Sequence, residues 1–168
     1  MIGKVIKYDK KDINTDLIIP ARYLTMSEPE YLAKHCMEDL DTKFIHKSKE
    51  FGYTIMVAGN NFGCGSSREQ APIALKAAGI QCIIAPSFAR IFFRNSINIG
   101  LSIIEFNKIE TINTNDVLEI IFTEGIIKDT SNKKEYQVRK MPSFLQEIIA
   151  ANGLINYARR KILGKTII

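Results

Sequence analysis

Residues 54–86 read TIMVAGNNFGCGSSREQAPIALKAAGIQCIIAP, and the order of patterns in this stretch decides the fold. A short apolar, β-prone run at 54–58 ends at Gly59 and is followed by a polar, glycine-rich loop. Helical periodicity then predicts a helix over about 67–78, and a second apolar run predicts a buried strand at 80–85. Because a strand–helix–strand order favours parallel pairing, the stretch predicts an α/β fold with a helix across one face of a sheet.

The sequence on either side extends this pattern to a single domain spanning residues 1–168. Two further strands and three further helices are predicted, at 1–8 and 101–106 and at about 28–40, 87–97 and 142–163. The last helix is interrupted near Asn152-Gly153. The region 111–139 differs, because its β-prone runs are joined by polar turns. We predict that this region is antiparallel and lies outside the main sheet.

The composition is that of a folded soluble protein, with 46% hydrophobic and 24% charged residues. The net charge of +5 is spread along the chain, and its densest basic run, 159–161, is typical of a solvated helix end, so we expect no nucleic-acid partner. No apolar window of about 18 residues and no leader-like stretch occur, so we expect no membrane association. Three widely spaced cysteines predict neither a disulfide framework nor a metal site and favour the reducing cytoplasm.

The loop of residues 59–70, GNNFGCGSSREQ, carries the most specific local pattern. Ser66 and Glu69 have the spacing of a capping box, which predicts that Ser66 caps the following helix. Glycines such as Gly65 let the backbone approach a ligand, and Arg68 adds a guanidinium fork suited to a carboxylate. Together with the helix N-terminus they predict an anion cradle. A nucleotide site is disfavoured, because the loop matches neither a P-loop nor a dinucleotide-binding G-x-G-x-x-G.

Two longer stretches resemble a known family. Residues 63–101, from GCGSSREQ through SFARIFFRN, resemble the swivelling-domain signature of the aconitase family, and DINTDLIIPARYL at 12–24 resembles the N-terminal signature of its isopropylmalate dehydratase small subunits. The resemblance covers about residues 1–107 and implies a three-layer β/β/α swivelling domain with a mainly parallel central sheet. It also implies a separate large subunit as partner, which carries a [4Fe–4S] cluster. This chain would hold no cofactor, because its three scattered cysteines give no ligand set.

The resemblance implies a hydro-lyase reaction, in which water is removed from and returned to a small hydroxy-dicarboxylate. In this family the cluster acts as a Lewis acid on the leaving hydroxyl, and by motif match Ser66 is the base that takes a proton from the neighbouring carbon. Ser67 and Arg68, beside Gly65, would bind a substrate carboxylate. A helix end supplies at most about 2 kcal/mol toward ionising a serine, so we expect activity only in the complex with the large subunit.

Two residues of the N-terminal motif, Asp16 and Arg22, fall where the family places polar residues near the site. We expect both to bind or orient the substrate, and the alternative is a loop aspartate and a surface arginine without such a role. Gln70 departs from the histidine that many relatives carry after SSRE. Cys64 is interpreted as a small residue that lines the loop.

Leu24, Thr25 and Met26 form the loop that, by the resemblance, meets the substituent that distinguishes substrates. They offer no cation for an extra carboxylate and suit an apolar isopropyl group. The resemblance therefore implies isomerisation of 2-isopropylmalate to 3-isopropylmalate in leucine biosynthesis. Dehydration of homoaconitate, 2,3-dimethylmalate or citramalate is an alternative within the class. A non-catalytic module that binds a carboxylate in the same cradle is an alternative outside it.

Overall fold

The computed structural model describes residues 1–164, and these residues are built around one seven-stranded sheet. The order of the strands across the sheet is β4-β3-β2-β1-β5-β6-β7. In chain order they are β1 Ile2–Tyr8, β2 Tyr53–Ala58, β3 Cys82–Ala85, β4 Ser102–Glu105, β5 Val117–Ile121, β6 Ile126–Asp129 and β7 Lys134–Gln137.

Seven α-helices accompany the sheet within the described residues. They are α1 Thr15–Ile18, α2 Pro29–Lys34, α3 Phe44–Phe51, α4 Gln70–Ala77, α5 Arg90–Asn98, α6 Ser143–Ala150 and α7 Leu154–Leu163. Short 3-10 turns lie at Ala21–Tyr23 and Ile109–Thr111. Over residues 1–164 no helix has the length and apolar character needed to cross a bilayer.

The first four strands pair in parallel, as the pattern of residues 54–86 predicts. The other three pairings are antiparallel, so the sheet is parallel in one half and antiparallel in the other. The prediction that the region 111–139 lies outside the main sheet is wrong, because β5 pairs with β1 and places Leu118 opposite Gly3. Alternating hydrophobicity identifies a strand but carries no information about which distant strand it will pair with.

The two faces of the parallel half pack against different layers. On one face Ile6, Met56 and Ile83 belong to a buried cluster shared with the helices. On the other face Val5, Ile55 and Ile84 belong to a second cluster that includes Leu118, Ile120 and Ile127 of the antiparallel strands. The sheet therefore curls over itself, and the result is the expected three-layer β/β/α arrangement.

The two largest departures from the predicted helix bounds have local reasons. Helix α2 ends at Lys34 rather than near residue 40, because Met37 adopts a left-handed φ of 62° and its N–H donates to the Ile18 carbonyl at 2.8 Å. Residues 142–163 form two helices, α6 and α7, because Gly153 between them has a φ of 114°. Helix α3 was not predicted at all. Residues 165–168 of the expected single domain lie outside the described part of the chain.

Candidate active site

The glycine-rich loop after β2 lies against the segment after β1, at the edge where these parallel strands end. Three backbone hydrogen bonds join the two segments, from Asp12 N–H to Asn60 at 2.9 Å, from Gly63 N–H to Ile13 at 2.8 Å and from Thr15 N–H to Cys64 at 2.9 Å. The carboxyl edge of parallel strands is the usual location of ligand sites in open α/β sheets. The two motifs singled out in the sequence therefore meet in space.

Two glycines shape the loop. Gly63 has a φ of 75°, and a Cβ there would overlap the ring of Phe92. Gly65 has a φ of 89°, and a Cβ there would lie 3.4 Å from the side chains of Asn14 and Thr15. Both positions therefore require a residue that tolerates a left-handed backbone, and Gly63 also requires one without a side chain.

The predicted capping box is wrong. Helix α4 begins at Gln70, its N-terminal cap is Glu69, and no side chain caps it. Ser66 is instead held by its carbonyl, which accepts from the Thr15 hydroxyl at 3.0 Å and from the Arg68 N–H at 2.8 Å. Because the backbone of Ser66 is fixed in this way, its side chain is left on the exposed surface of the loop.

The exposed turn presents several donors to solvent. Ser66 and Ser67 are exposed, and the backbone N–H groups of Gly65, Ser66 and Ser67 find no backbone or side-chain acceptor among residues 1–164. Consecutive backbone N–H groups with adjacent hydroxyls form a concave site that suits an anion. The donors that the predicted anion cradle would use are therefore those of the turn itself, because helix α4 begins only at Gln70.

Arg68 and Asp16 form an ion pair beside this turn. The Arg68 Nη1 donates to the Asp16 carboxylate at 2.6 Å and to the Ile19 carbonyl at 3.3 Å. The Arg68 side chain is only 16% exposed, whereas that of Asp16 is 51% exposed. Asp16 therefore orients a guanidinium whose second nitrogen, Nη2, can still bind a carboxylate.

Arg22 is engaged elsewhere. Its guanidinium binds Asp39 through two hydrogen bonds at 2.9 and 2.5 Å and reaches Glu38 at 3.2 Å. The hydrogen bond from Arg22 lowers the pKa of the Asp39 carboxyl below its usual range. The structure thus brings Gly65, Ser66, Ser67, Arg68 and Asp16 together and gives Arg22 a different partner.

The three residues of the expected specificity loop do not share one environment. Leu24 is half-buried and packs against the core on the helix side of the sheet. Thr25 is exposed, and Met26 is 48% exposed. Thr25 and Met26 are therefore the most accessible residues of the loop, while part of Leu24 packs against the core.

The cysteines do not fit an iron–sulfur cluster. Cys36 and Cys82 are fully buried, and burial raises the pKa of both thiols. Burial, together with the charge of Asp12, also raises the pKa of the half-buried Cys64 thiol, so it stays protonated and is a poor ligand or nucleophile. In the part of the chain that the structure describes, no three histidine, cysteine or acidic side chains lie close enough to hold a metal.

Sequence reasoning missed Thr15, whose buried hydroxyl fixes Ser66. It also missed Glu38 and Asp39, which bind Arg22. A threonine inside the N-terminal motif was a visible feature, but its partner lies 51 residues away. No local pattern predicts such a pairing.

A comparison with protein families matches residues 9–109 to the aconitase C-terminal domain. The 3-isopropylmalate dehydratase small subunit of Ruminiclostridium cellulolyticum is 55% identical over 161 residues, which cover 95% of this chain and 97% of that protein. The protein of the same name from Clostridium botulinum is 54% identical over 95% of this chain and 98% of its own length.

A solved structure gives the same result. The crystal structure of a 3-isopropylmalate dehydratase from Methanocaldococcus jannaschii superposes with a TM-score of 0.88 at 45% identity, over 97% of this chain and 96% of that one. Agreement in sequence and in fold extends well beyond the two motifs. The chain belongs to the aconitase C-terminal domain family, among the small subunits of 3-isopropylmalate dehydratase.

Proposed function

We propose that this chain works with a large subunit as a hydro-lyase that converts 2-isopropylmalate to 3-isopropylmalate by dehydration and rehydration, in leucine biosynthesis in the cytoplasm. The observation that carries the proposal is 55% identity over 95% of the chain to a protein of that activity, with an exposed serine beside an arginine on the loop that both motifs build.

The turn of residues 65–68 binds one carboxylate of the substrate. Ser66 and Ser67 are exposed, their N–H groups have no acceptor among the described residues, and Arg68 next to them is bound by Asp16. Charge-assisted hydrogen bonds to a carboxylate are about twice as strong as neutral ones, so the guanidinium supplies most of the orientation. This assignment leaves Asp16 as the residue that holds Arg68 in place.

Ser66 takes the proton from the carbon next to that carboxylate. A serine hydroxyl ionises far above neutral pH, and each unit of pKa lowering requires about 1.4 kcal/mol. The dipole of α4 contributes little, because its effect fades beyond the first turn and the helix begins only at Gln70. On an exposed loop Ser66 is therefore a weak base, and it needs the dry, closed interface of a complex to become a competent one.

The large subunit holds the [4Fe–4S] cluster in this proposal, since the cysteines of this chain do not fit one. When bound, such a cluster supplies a Lewis acid for the leaving hydroxyl. Because the specificity loop exposes Thr25 and Met26 and no cation, an isopropyl substituent suits it better than the extra carboxylate of homoaconitate. Citramalate and 2,3-dimethylmalate are the closest competing substrates and belong in the same assay.

The test is the Ser66→Ala variant in a complex with the large subunit. We expect kcat to fall roughly 10²–10⁴-fold, the usual contribution of a general base, while the two subunits still co-purify. Ser143→Ala, at an exposed serine that begins α6, is the matched control and should keep full activity. If Ser66→Ala retains wild-type turnover, Ser66 is not the base and the proposed role of this chain in catalysis fails. Turnover by this chain alone would contradict the need for a partner.

A further inference from the structure

The specificity loop is carried by a turn that has little support of its own. The 3-10 turn Ala21–Tyr23 precedes residues 24–26 and makes two local backbone bonds, from Tyr23 N–H to Pro20 at 3.0 Å and from Leu24 N–H to Ala21 at 3.2 Å. A single 3-10 turn has poor hydrogen-bond geometry, and an isolated helical turn is unstable in water. Other contacts must therefore fix the place of the loop.

Besides the packing of Tyr23 and Leu24 against the core, side-chain hydrogen bonds hold the turn, and the carboxylate of Glu38 accepts from two of its residues. Its Oε1 accepts from the Tyr23 hydroxyl at 2.8 Å and from the Arg22 Nη2 at 3.2 Å, and its Oε2 lies 2.8 Å from the His35 Nδ1. Two residues of the turn are thus tied to the segment that follows α2. Asp39 completes the arrangement by binding the guanidinium of Arg22 through two further bonds.

Aromatic contacts also pack Arg22, Tyr23 and His35 against one another. The rings of Tyr23 and His35 are stacked, with centroids 3.7 Å apart and planes 10° from parallel. Tyr31 packs edge-on against both rings, and the Arg22 guanidinium lies 4.7 Å from the centroid of Tyr23. Hydrogen bonds from His35 first, and then from Tyr23 and Arg22, lower the pKa of Glu38, so its carboxylate is charged near neutral pH.

The geometry points to Glu38 as a positioning residue for substrate selection, which fixes the Ala21–Tyr23 turn and thereby the direction in which Thr25 and Met26 meet the substrate. The inference rests on the proposed function. Glu38 acts through the turn and not on the substrate, because its two oxygens are already occupied by three neighbouring groups. We call the contacts that Glu38 and Asp39 make with Arg22 and Tyr23 the clamp.

The clamp is tested first on the chain by itself, by hydrogen–deuterium exchange at the amides of Tyr23 and Leu24. Glu38→Ala should speed their exchange about tenfold, since the turn loses the hydrogen bonds that Arg22 and Tyr23 make to this carboxylate. Tyr23→Phe keeps the ring stack and loses one bond, so its effect should be smaller. The matched control is Glu50→Ala. Glu50 lies on α3 and pairs with His46, with 3.2 Å between Oε2 and Nδ1, so the control breaks a second histidine–glutamate pair. If the amides of Tyr23 and Leu24 exchange at the same rate in Glu38→Ala as in Glu50→Ala, Glu38 does not fix the turn.

The link to substrate selection is tested in the complex with the large subunit. We expect Glu38→Ala to raise KM for 2-isopropylmalate roughly tenfold and to change kcat less than about threefold. The ratio of kcat/KM for 2-isopropylmalate to kcat/KM for citramalate should fall as well. Glu38→Gln, which keeps one accepting oxygen, should lie between Glu38→Ala and wild type. If Glu38→Ala speeds amide exchange but leaves KM and the preference for 2-isopropylmalate over citramalate unaltered, Glu38 does not act in substrate selection. An inactive wild-type complex would instead refute the proposed function, and the exchange experiment would still decide the clamp.

Discussion

Replacing Thr15 with valine removes the hydroxyl that fixes Ser66 and keeps the branched shape of the side chain. Thr15 is 1% exposed, and its Oγ1 donates to the Ser66 carbonyl at 3.0 Å. The carbonyl keeps its second bond, from the Arg68 N–H. Loss of one such hydrogen bond costs about 0.5–1.5 kcal/mol, which corresponds to a fall in Tm of about 1–6 °C for a chain of this size.

The effect on activity should be much larger than the effect on stability. With one of its two carbonyl bonds gone, the turn can shift, and a misplacement of about 1 Å can lower a rate about 10²-fold. We therefore expect kcat of the complex with the large subunit to fall roughly 10–100-fold. The measurement is steady-state turnover of 2-isopropylmalate, paired with thermal unfolding of the chain.

Thr130→Val is the matched control, because the Thr130 hydroxyl donates to the Val117 carbonyl at 2.9 Å, away from the loop. It removes the same kind of bond from an exposed residue, so it should lower Tm by less than Thr15→Val does and leave kcat unchanged. If both variants lose the same small fraction of activity, the contact between Thr15 and Ser66 stabilises the fold and does not position the serine.

Three further substitutions test other parts of the site. Met26→Arg should lower turnover of 2-isopropylmalate by roughly 10–200-fold relative to the competing acids, and unaltered relative activities would contradict the specificity loop. Arg68→Lys keeps the charge but not the fork, so KM should rise about tenfold with a smaller change in kcat; an unchanged KM would show that the guanidinium does not bind substrate. Gly63→Ala should cost about 2–5 kcal/mol of unfolding free energy, from a φ of 75° and overlap with the Phe92 ring. At Gly79, with a φ of 101° and open space around a Cβ, the change to Ala should cost only about 1–2 kcal/mol of unfolding free energy. If chemical denaturation gives equal losses for Gly63→Ala and Gly79→Ala, the overlap with the Phe92 ring is refuted.

The sequence predicted those parts of the fold that short-range patterns determine. The apolar runs at 54–58 and 80–85, separated by a helical pattern, correctly predicted two parallel strands with α4 between them. The pairing of β5 with β1 joins residues more than 100 positions apart, and it is set by how the second apolar face of the sheet is covered. Periodicity within either strand says nothing of that choice.

In the candidate site, too, local sequence predicts some features and long-range contacts decide the others. Glycines followed by two serines and an arginine predict a turn that suits an anion, and the structure shows that this turn is exposed and has positive φ at Gly63 and Gly65. The capping box failed, since the hydrogen bond from Thr15 holds the backbone of Ser66 outside the helix. Arg22 is expected near the substrate from the family resemblance, with a surface arginine as the alternative; in this chain its guanidinium binds Glu38 and Asp39, which follow α2. A guanidinium binds whichever carboxylate the tertiary fold brings closest.

The location of Ser66 gives a physical reason for the second subunit that we propose. A turn that must accept a substrate and deliver a proton acceptor has to be open, and this turn is exposed. An open turn is also wet, and in water neither the N–H groups of the turn nor the distant end of α4 can supply the stabilisation that an alkoxide needs. Thr15 and Asp16, from the segment after β1, already bind Ser66 and Arg68 in the chain by itself. A partner then has only to exclude water from a surface that is already arranged, and pre-organised donors gain strength as the local dielectric falls.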